Sequence, residues 1–317
     1  MESIKNVAYY IFEWAIFYYG LLLMFSYLML VIFSIIEILK YRHRNAFVDH
    51  NTLLSSPFTP GISVIAPAYN EAAIILNGVH SLLSLNYPKF EVIIINDGST
   101  DDTLQLLIDE YELEVVDFAY HEEIVTQPVK RIFKSSNPVY AKLMVIDKEN
   151  GKSKADGSNA GINAASYPLF LCTDIDCIWH KETLLKMVKP FIDSNSKVIA
   201  TGAVLRISNS CEVENGFMKK VKVPTQYLPL FQELEYIRAF LLGRMAWSRI
   251  NGLMLVSGGL GLFDKEVAMK AGGYSHTSFG EDLELVTRMR IYMEDNRQKY
   301  AVKYIPESLC CTNVVVS

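Results

Sequence analysis

Residues 90–103, FEVIIINDGSTDDT, contain an apolar run of strand length, a turn with a glycine and the polar start of a helix-length segment. The same order occurs on either side, where ISVIAP (62–67) precedes EAAIILNGVHSLLSL and PLFLCTDID (168–176) precedes KETLLKMVKPFID. Short apolar runs that alternate with helices are typical of βαβ units, in which helices cover a mainly parallel sheet. The sequence therefore predicts an α/β fold that begins near Ile62.

The N-terminal part of the chain contains a long apolar run without charged residues. The 22 residues from Ala15 to Ile36 carry no charge, and as a helix they would be about 33 Å long, enough to cross a bilayer core. A signal peptide would have its basic residues before the apolar run, whereas Lys40, Arg42 and Arg44 follow it. The positive-inside rule then predicts that the N-terminus lies outside and the rest of the chain in the cytoplasm.

We therefore predict a single-pass protein of the cytoplasmic (inner) membrane in three parts. Residues 1–44 form a transmembrane anchor with a basic flank, 45–61 a turn-rich linker, and 62–317 the α/β domain. The lipid bilayer is thus an expected partner. The formal net charge of -5 argues against a general nucleic-acid binder, which needs a basic field to attract phosphates.

Acidic residues follow two of the predicted strands. Asp97 ends the run EVIIIN, and Asp174 and Asp176 follow LFLC, at the edge where open α/β sheets bind ligands. For Asp97 the alternatives are an ordinary Asx turn and hydrogen bonding to a base or ribose. Asp174 and Asp176 would repel each other unless they are solvated, capped or joined by a cation, and Mg²⁺ or Mn²⁺ suits carboxylate oxygens.

Two further segments contain candidate residues. Glu281 and Asp282 precede LELVTRMRIYM, so they either favour a helix N-terminus electrostatically or supply a general base that removes a proton from a hydroxyl. Lys154 lies in the Gly- and Asn-rich stretch KADGSNAGIN, where a loop would bring it near phosphates or leave it as a solvated surface lysine.

The segment QELEYIRAFLLGRMAW, residues 232–247, predicts a helix that combines apolar residues with arginines. It suits an interfacial or acceptor-lining element, or a buried core helix with arginines at its edge. We expect the buried helix.

Six motifs carry a resemblance to a known family: SVIAPAYNE, VIIINDGSTDDT, KADGSNAGIN, TDID, VSGGLGLFDKEVAMKAGGY and GEDLELVTRMR, in this order. Together they resemble the family 2 glycosyltransferases, which are inverting enzymes with a GT-A fold. The resemblance is to their membrane-bound polysaccharide-synthase branch, which includes cellulose, hyaluronan and poly-N-acetylglucosamine synthases. It covers the chain from about residue 62 to residue 313.

The resemblance implies roles for the candidate residues. Those expected to bind the nucleotide are Tyr69, Glu71, Asp97, Lys154 and Asp174. Those expected to hold a divalent cation are Asp174 and Asp176. Asp282 matches the catalytic base, and the residues expected on the acceptor side are Ser257, Gly258, Gly259 and Glu281.

The implied function is inverting, metal-dependent transfer of a sugar from a UDP-sugar to a polysaccharide, a lipid-linked saccharide or another hydroxyl acceptor, at the cytoplasmic membrane face. Processive relatives have a Gln-x-x-Arg-Trp motif and further helices downstream, which this sequence lacks. We therefore expect a chain truncated before that motif, or a membrane partner that supplies the missing helices. The alternatives are a non-processive transferase to a lipid phosphate, and a truncated chain that binds nucleotide without catalysing transfer.

Overall fold

The computed structural model describes residues 2–46, 54–207, 211–214, 217–278 and 280–312. The strands in these ranges are β1 (Ile62–Ala68), β2 (Phe90–Asp97), β3 (Leu113–Val115), β4 (Val129–Ser135), β5 (Leu143–Lys148), β6 (Leu169–Cys172), β7 (Ile178–Trp179), β8 (Lys197–Ile207), β9 (Cys211–Glu214), β10 (Phe217–Val221), β11 (Gly261–Asp264) and β12 (Tyr300–Thr312). The helices are α1 (Glu2–Asn45), α2 (Ile75–Leu83), α3 (Thr103–Tyr111), α4 (Lys154–Ala164), α5 (Thr183–Asp193), α6 (Tyr227–Ile237), α7 (Met245–Arg249), α8 (Lys265–Lys270) and α9 (Glu281–Asp295). A π-helical segment, Arg238–Arg244, joins α6 to α7.

The strands form one mixed sheet in the order β3-β4-β5-β2-β1-β6-β11-β8-β12-β7-β10-β9. Its central strands β5, β2, β1 and β6 are parallel, with Ile62 of β1 opposite Phe90 of β2 and Leu169 of β6. Antiparallel pairs flank them, β4 on β5 and β11 on β6. The predicted α/β class is confirmed, and the parallel arrangement holds for the strands whose carboxyl ends carry the predicted site.

The core lies on both faces of these central strands. Val92, Ile93, Ile94 and Ile95 of β2 are all fully buried, because helices cover the sheet on each side. Burial on both faces explains why the strand is a continuous apolar run and does not alternate with polar residues.

Helix α4 contradicts the loop expected at KADGSNAGIN. Its residues 155–164 are all buried, and Ser153 caps its start by accepting a hydrogen bond from the backbone N–H of Asp156. A Cβ at Gly161 would lie 2.3 Å from Cγ2 of Ile65, so the glycine allows the helix to lie close against β1. Tertiary packing therefore overrides the low helix propensity of Gly and Asn.

Helix α1 extends through residue 45 and, by length and composition, is suited to cross a membrane. Its most apolar 18-residue window has a mean hydropathy of 2.5 and is 6% buried. Its C-terminal third contacts the α/β domain: Ser34 Oγ donates to the carbonyl of Leu241, and Tyr41 donates to Glu307 at 2.5 Å. The domain is thus attached directly to the end of this helix. The predicted linker lies partly outside the described residues.

The helix from Tyr227 to Arg249 meets the expectation of a buried helix at 232–247 only in part, in its second half. The apolar residues exposed along α6 are Tyr227 (82%), Leu228 (64%), Phe231 (66%) and Leu234 (53%). On the other side of α6, Glu233 is buried and forms an ion pair with Arg206. Phe240, Met245 and Ala246 are buried in the core further along, in the part of the helix that packs next to α1.

Candidate active site

A cavity of about 510 Å³ lies beyond the carboxyl ends of β1, β2 and β5. This edge is where open α/β sheets bind their ligands. The predicted nucleotide-binding residues in its wall are Tyr69, Glu71, Asp97 and Lys154. Tyr69 directly follows β1 and is 50% exposed, so its ring is accessible to a planar ligand. The fold thus brings together four predicted residues that are up to 85 positions apart in the sequence.

Asp97 is buried and rigidly held at the end of β2. Its Oδ1 accepts hydrogen bonds from Nζ of Lys148 at 2.7 Å and from the backbone N–H of Gly151 at 3.0 Å. Lys148, which is fully buried at the end of β5, forms a second ion pair with Asp156 of α4. One ammonium group therefore lies between two carboxylates and connects β2, β5 and α4 beside the cavity.

The loop after β1 is fastened to the turn after β2. The backbone N–H of Asn70 donates to Oγ of Ser99 at 3.0 Å, and that of Thr100 donates to Oδ1 of Asn70 at 2.8 Å. The backbone N–H of Glu71 donates to Oγ1 of Thr103 at 2.9 Å. The polar residues of NDGSTDDT thereby hold the loop that carries Glu71 at the edge of the cavity.

Asp174 and Asp176 follow β6 and face the same region. A carboxylate oxygen of each and Sγ of Cys177 lie within 4.8 Å of one another. Burial raises the pKa of Asp176, and Asp174 raises it further. Burial also raises the pKa of Glu71, and the negative charge of Asp176 raises it further. A divalent cation would relieve this repulsion, and the oxygen ligands of Asp174 and Asp176 fit Mg²⁺ or Mn²⁺; Cys177 contributes a buried thiol beside them.

Lys154 is the first residue of α4 and reaches towards the acidic pair. Its Nζ lies 2.5 Å from Oδ1 of Asp174 and 3.4 Å from the carbonyl oxygen of Gly258. Burial lowers the pKa of Lys154, but Asp174 outweighs this effect and the pKa is raised overall. Lys154 is therefore a charged group within the site, and the alternative of a solvated surface lysine is wrong.

A glycine turn separates Asp174 from Asp282. It precedes β11 and is closed by the backbone N–H of Leu260, which donates to the carbonyl of Ser257 at 3.0 Å. A Cβ at Gly258 would lie 2.3 Å from Oδ2 of Asp282, and one at Gly259 would lie 3.2 Å from Oδ2 of Asp174. The two carboxylates thus approach two successive glycines, where the backbone has no side chain in the way.

Glu281 and Asp282 form the start of α9, as predicted. Burial raises the pKa of Asp282; Lys154 opposes this shift and Asp174 adds to it. Burial likewise raises the pKa of Glu281. Gly280 occupies the N-cap position, and neither acidic side chain is its cap. A carboxylate with a raised pKa at this position is suited to accept a proton.

Sequence reasoning did not identify Lys148, Asp156 or Cys177. Lys148 and Asp97 are 51 residues apart, so their pairing appears only after the strands are placed side by side. Cys177 directly follows Asp176, and this adjacency was the one local signal available.

The family model described as "Glycosyl transferase family 2" matches residues 63–121 and 127–234, more than half of the chain. The chain belongs to glycosyl transferase family 2. The family 2 glycosyltransferase expected from the six motifs is therefore confirmed. The matched residues include β2, α4, the acidic pair after β6 and all of β1 except Ile62.

Two curated family 2 relatives are poly-β-1,6-N-acetyl-D-glucosamine synthases. The protein from Staphylococcus epidermidis is 26% identical over 250 residues, covering 79% of this chain and 49% of its own length. The protein from Staphylococcus aureus strain COL is 26% identical over 252 residues, with the same coverage. This chain therefore spans about half the length of the curated relatives it matches.

Solved structures support the GT-A fold of this family 2 chain. A mannosyltransferase from Pyrobaculum calidifontis, in complex with GDP-Man and Mn²⁺, has a TM-score of 0.54 and 19% identity, covering 90% of this chain and 69% of its own. Staphylococcus aureus TarS in complex with UDP-GlcNAc has a TM-score of 0.50 and 16% identity, covering 81% of this chain and 59% of its own. The predicted GT-A architecture is thus confirmed.

Proposed function

We propose that this chain transfers a sugar from a UDP-sugar to a hydroxyl group of a saccharide acceptor, with inversion at the anomeric carbon. The observation that carries the proposal is the arrangement around the glycine turn, where Lys154 binds Asp174 and Asp282 lies against Gly258. The predicted donor-side and acceptor-side groups thereby meet at one short backbone segment. The names of the relatives make UDP-GlcNAc the first donor to test.

The donor would bind in the cavity beyond β1, β2 and β5. Tyr69 offers an aromatic face to the uracil ring, and Asp97 and Glu71 offer carboxylates to the base or ribose. Lys154 offers an ammonium group to the diphosphate. Asp174 and Asp176 would hold Mg²⁺ or Mn²⁺, which would supply positive charge to the departing diphosphate.

Asp282 would act as the base of a single displacement. Its carboxylate removes the proton of the acceptor hydroxyl while that oxygen bonds to the anomeric carbon, and the bond from this carbon to UDP breaks. The raised pKa of Asp282 suits this role, because a more basic carboxylate takes a proton more readily. Glu281, Ser257, Gly258 and Gly259 would line the acceptor side.

We further propose that α1 anchors the domain at the cytoplasmic face of a membrane. The apolar window of α1 is almost wholly exposed, and basic residues occupy its last turn, as the positive-inside rule expects. The exposed apolar residues of α6 lie on the helix whose continuation contacts α1. This supports an interfacial position for α6, because its exposed apolar side chains would otherwise face water.

Release of UDP tests the proposed reaction. We expect the purified chain in detergent, with Mn²⁺ and oligosaccharides of N-acetylglucosamine, to release UDP from UDP-GlcNAc. Asp282→Asn should abolish release, whereas Asp295→Asn, at the far end of the same helix, should retain it. The proposal fails if no UDP-sugar yields UDP with the unaltered protein, or if Asp282→Asn is as active as the control.

A further inference from the structure

A second cavity, of about 470 Å³, lies between the end of α1, helix α5 and strand β12. Among the described residues, it shares none with the lining of the cavity that holds the predicted nucleotide site. Met245, Tyr304 and Ile305 form its apolar floor. Neither the proposed donor nor the proposed acceptor role uses this second cavity.

The lining of the second cavity is strongly basic. Its basic residues are Lys40, Arg44, Lys186, Lys189, Lys299 and Lys303, and its acidic residues are Glu37 and Asp193. The lining thus has a net charge of +4 in a chain whose formal net charge is -5. A concave surface of one sign attracts small ions of the opposite sign.

Four of these basic groups have no ion-pair partner among the residues that the structure describes. Lys186 and Lys189 have acidic partners within 4.0 Å, but within the described ranges Lys40, Arg44, Lys299 and Lys303 form no ion pair. Burial lowers the pKa of Lys303; Glu37 raises it, and the adjacent Lys40 and Arg44 lower it. Several positive charges therefore lie close together in the second cavity, where a bound anion would neutralise them.

The position of the second cavity along α1 indicates the source of that anion. The apolar run ends at Ile36, and Lys40 lies four residues further, about 6 Å along the helix axis. The headgroup layer on each side of a bilayer is about 5–7 Å thick. The mouth of the cavity would thus lie at headgroup depth, and basic pockets beside transmembrane helices on the cytoplasmic side bind acidic lipid headgroups.

We propose that this second cavity binds the phosphate-bearing headgroup of an anionic phospholipid, such as phosphatidylglycerol. Lys40 and Arg44 of α1 and Lys303 of β12 contact the phosphate, while the lipid tails remain beside α1. The bound headgroup joins the anchor to the catalytic domain at the membrane surface. The proposal rests on the membrane insertion of α1 and not on sugar transfer, so it can fail while the proposed reaction stands.

The test is native mass spectrometry of the full chain released from detergent micelles. Phosphatidylglycerol or phosphatidylcholine is added at equal concentration, and bound lipids are counted. Unaltered protein should retain at least about tenfold more phosphatidylglycerol than phosphatidylcholine, and each removed charge should weaken retention about fivefold. The variants are Arg44→Gln and the double variant Lys40→Gln/Lys303→Gln.

The matched control is Arg42→Gln. Arg42 is two residues from Arg44 on the same helix and does not line the second cavity, so its variant should retain phosphatidylglycerol to within about twofold. Glycerol phosphate, added at the same concentration as the lipid, tests whether the cavity prefers a soluble phosphate to a lipid headgroup. It should not displace phosphatidylglycerol. Equal retention of the two lipids, an equal loss in Arg42→Gln, or displacement by glycerol phosphate would each overturn the proposal.

Discussion

The contact between Gly258 and Asp282 yields the sharpest prediction for the site. Gly258→Ala would add a Cβ 2.3 Å from Oδ2 of Asp282, whereas ordinary contacts begin at 3.4 Å. The carboxylate must therefore move by about 1 Å, a misplacement that costs about 100-fold in rate, or about 2.7 kcal/mol of activation free energy. Since the group that moves is the end of a side chain, we expect the protein to remain folded and to bind UDP normally.

The assay compares three Gly→Ala variants by UDP release, UDP affinity and thermal unfolding. At Gly259 the Cβ would lie 3.2 Å from Asp174, so a shift of a few tenths of an ångström should give a smaller loss, mainly in UDP affinity. At Gly243 it would lie 3.7 Å from the carbonyl of Arg238, an ordinary contact, and turnover should not change. Unaltered turnover in Gly258→Ala, with UDP affinity also unaltered, would refute the assigned position of the base.

Three further predictions concern single groups. Asp282→Asn should unfold at a higher temperature than the unaltered protein at pH 7. The pKa of Asp282 is raised in the folded protein, so its charged form destabilises the fold at this pH. The gain in unfolding temperature should vanish at a pH low enough to protonate this carboxyl in the unfolded chain as well. Because the pKa of Asp282 is raised, kcat/KM should fall on the acid side at a pH above the ordinary pKa range of an aspartate. A value of kcat/KM that stays constant down to about pH 4 would contradict the role of Asp282. Lys148→Met should destabilise the protein by about 3–5 kcal/mol in urea unfolding, since two buried carboxylates lose their partner, whereas Lys270→Met on the surface should change little.

The sequence predicted the parts of the fold that depend on local patterns. Continuous apolar runs identify β1, β2 and β6, because strands buried on both faces need no alternation. The residues after these strands, Asp97 and Asp174, could be assigned to one edge since parallel strands end together.

The remaining features depend on contacts between distant segments. Helix α4 forms because Gly161 lets it lie against Ile65, which residue propensities do not reveal. Lys148 is buried because Asp97 and Asp156 meet it from two other elements, whereas a strand-end lysine in isolation suggests solvent. The exposure of the apolar residues of α6 likewise depends on tertiary packing, whereas hydrophobicity alone indicated a buried helix.

Calorimetric titration of UDP into the purified chain tests the proposed metal-dependent nucleotide site at Asp97, Asp174 and Asp176 most directly. The titration is made with Mn²⁺ and again with EDTA, for unaltered protein, Asp176→Asn and the surface control Asp109→Asn. We predict binding that requires Mn²⁺, is lost in Asp176→Asn and persists in Asp109→Asn. Absence of UDP binding by the unaltered protein, or binding of equal strength with EDTA and in Asp176→Asn, would contradict the account.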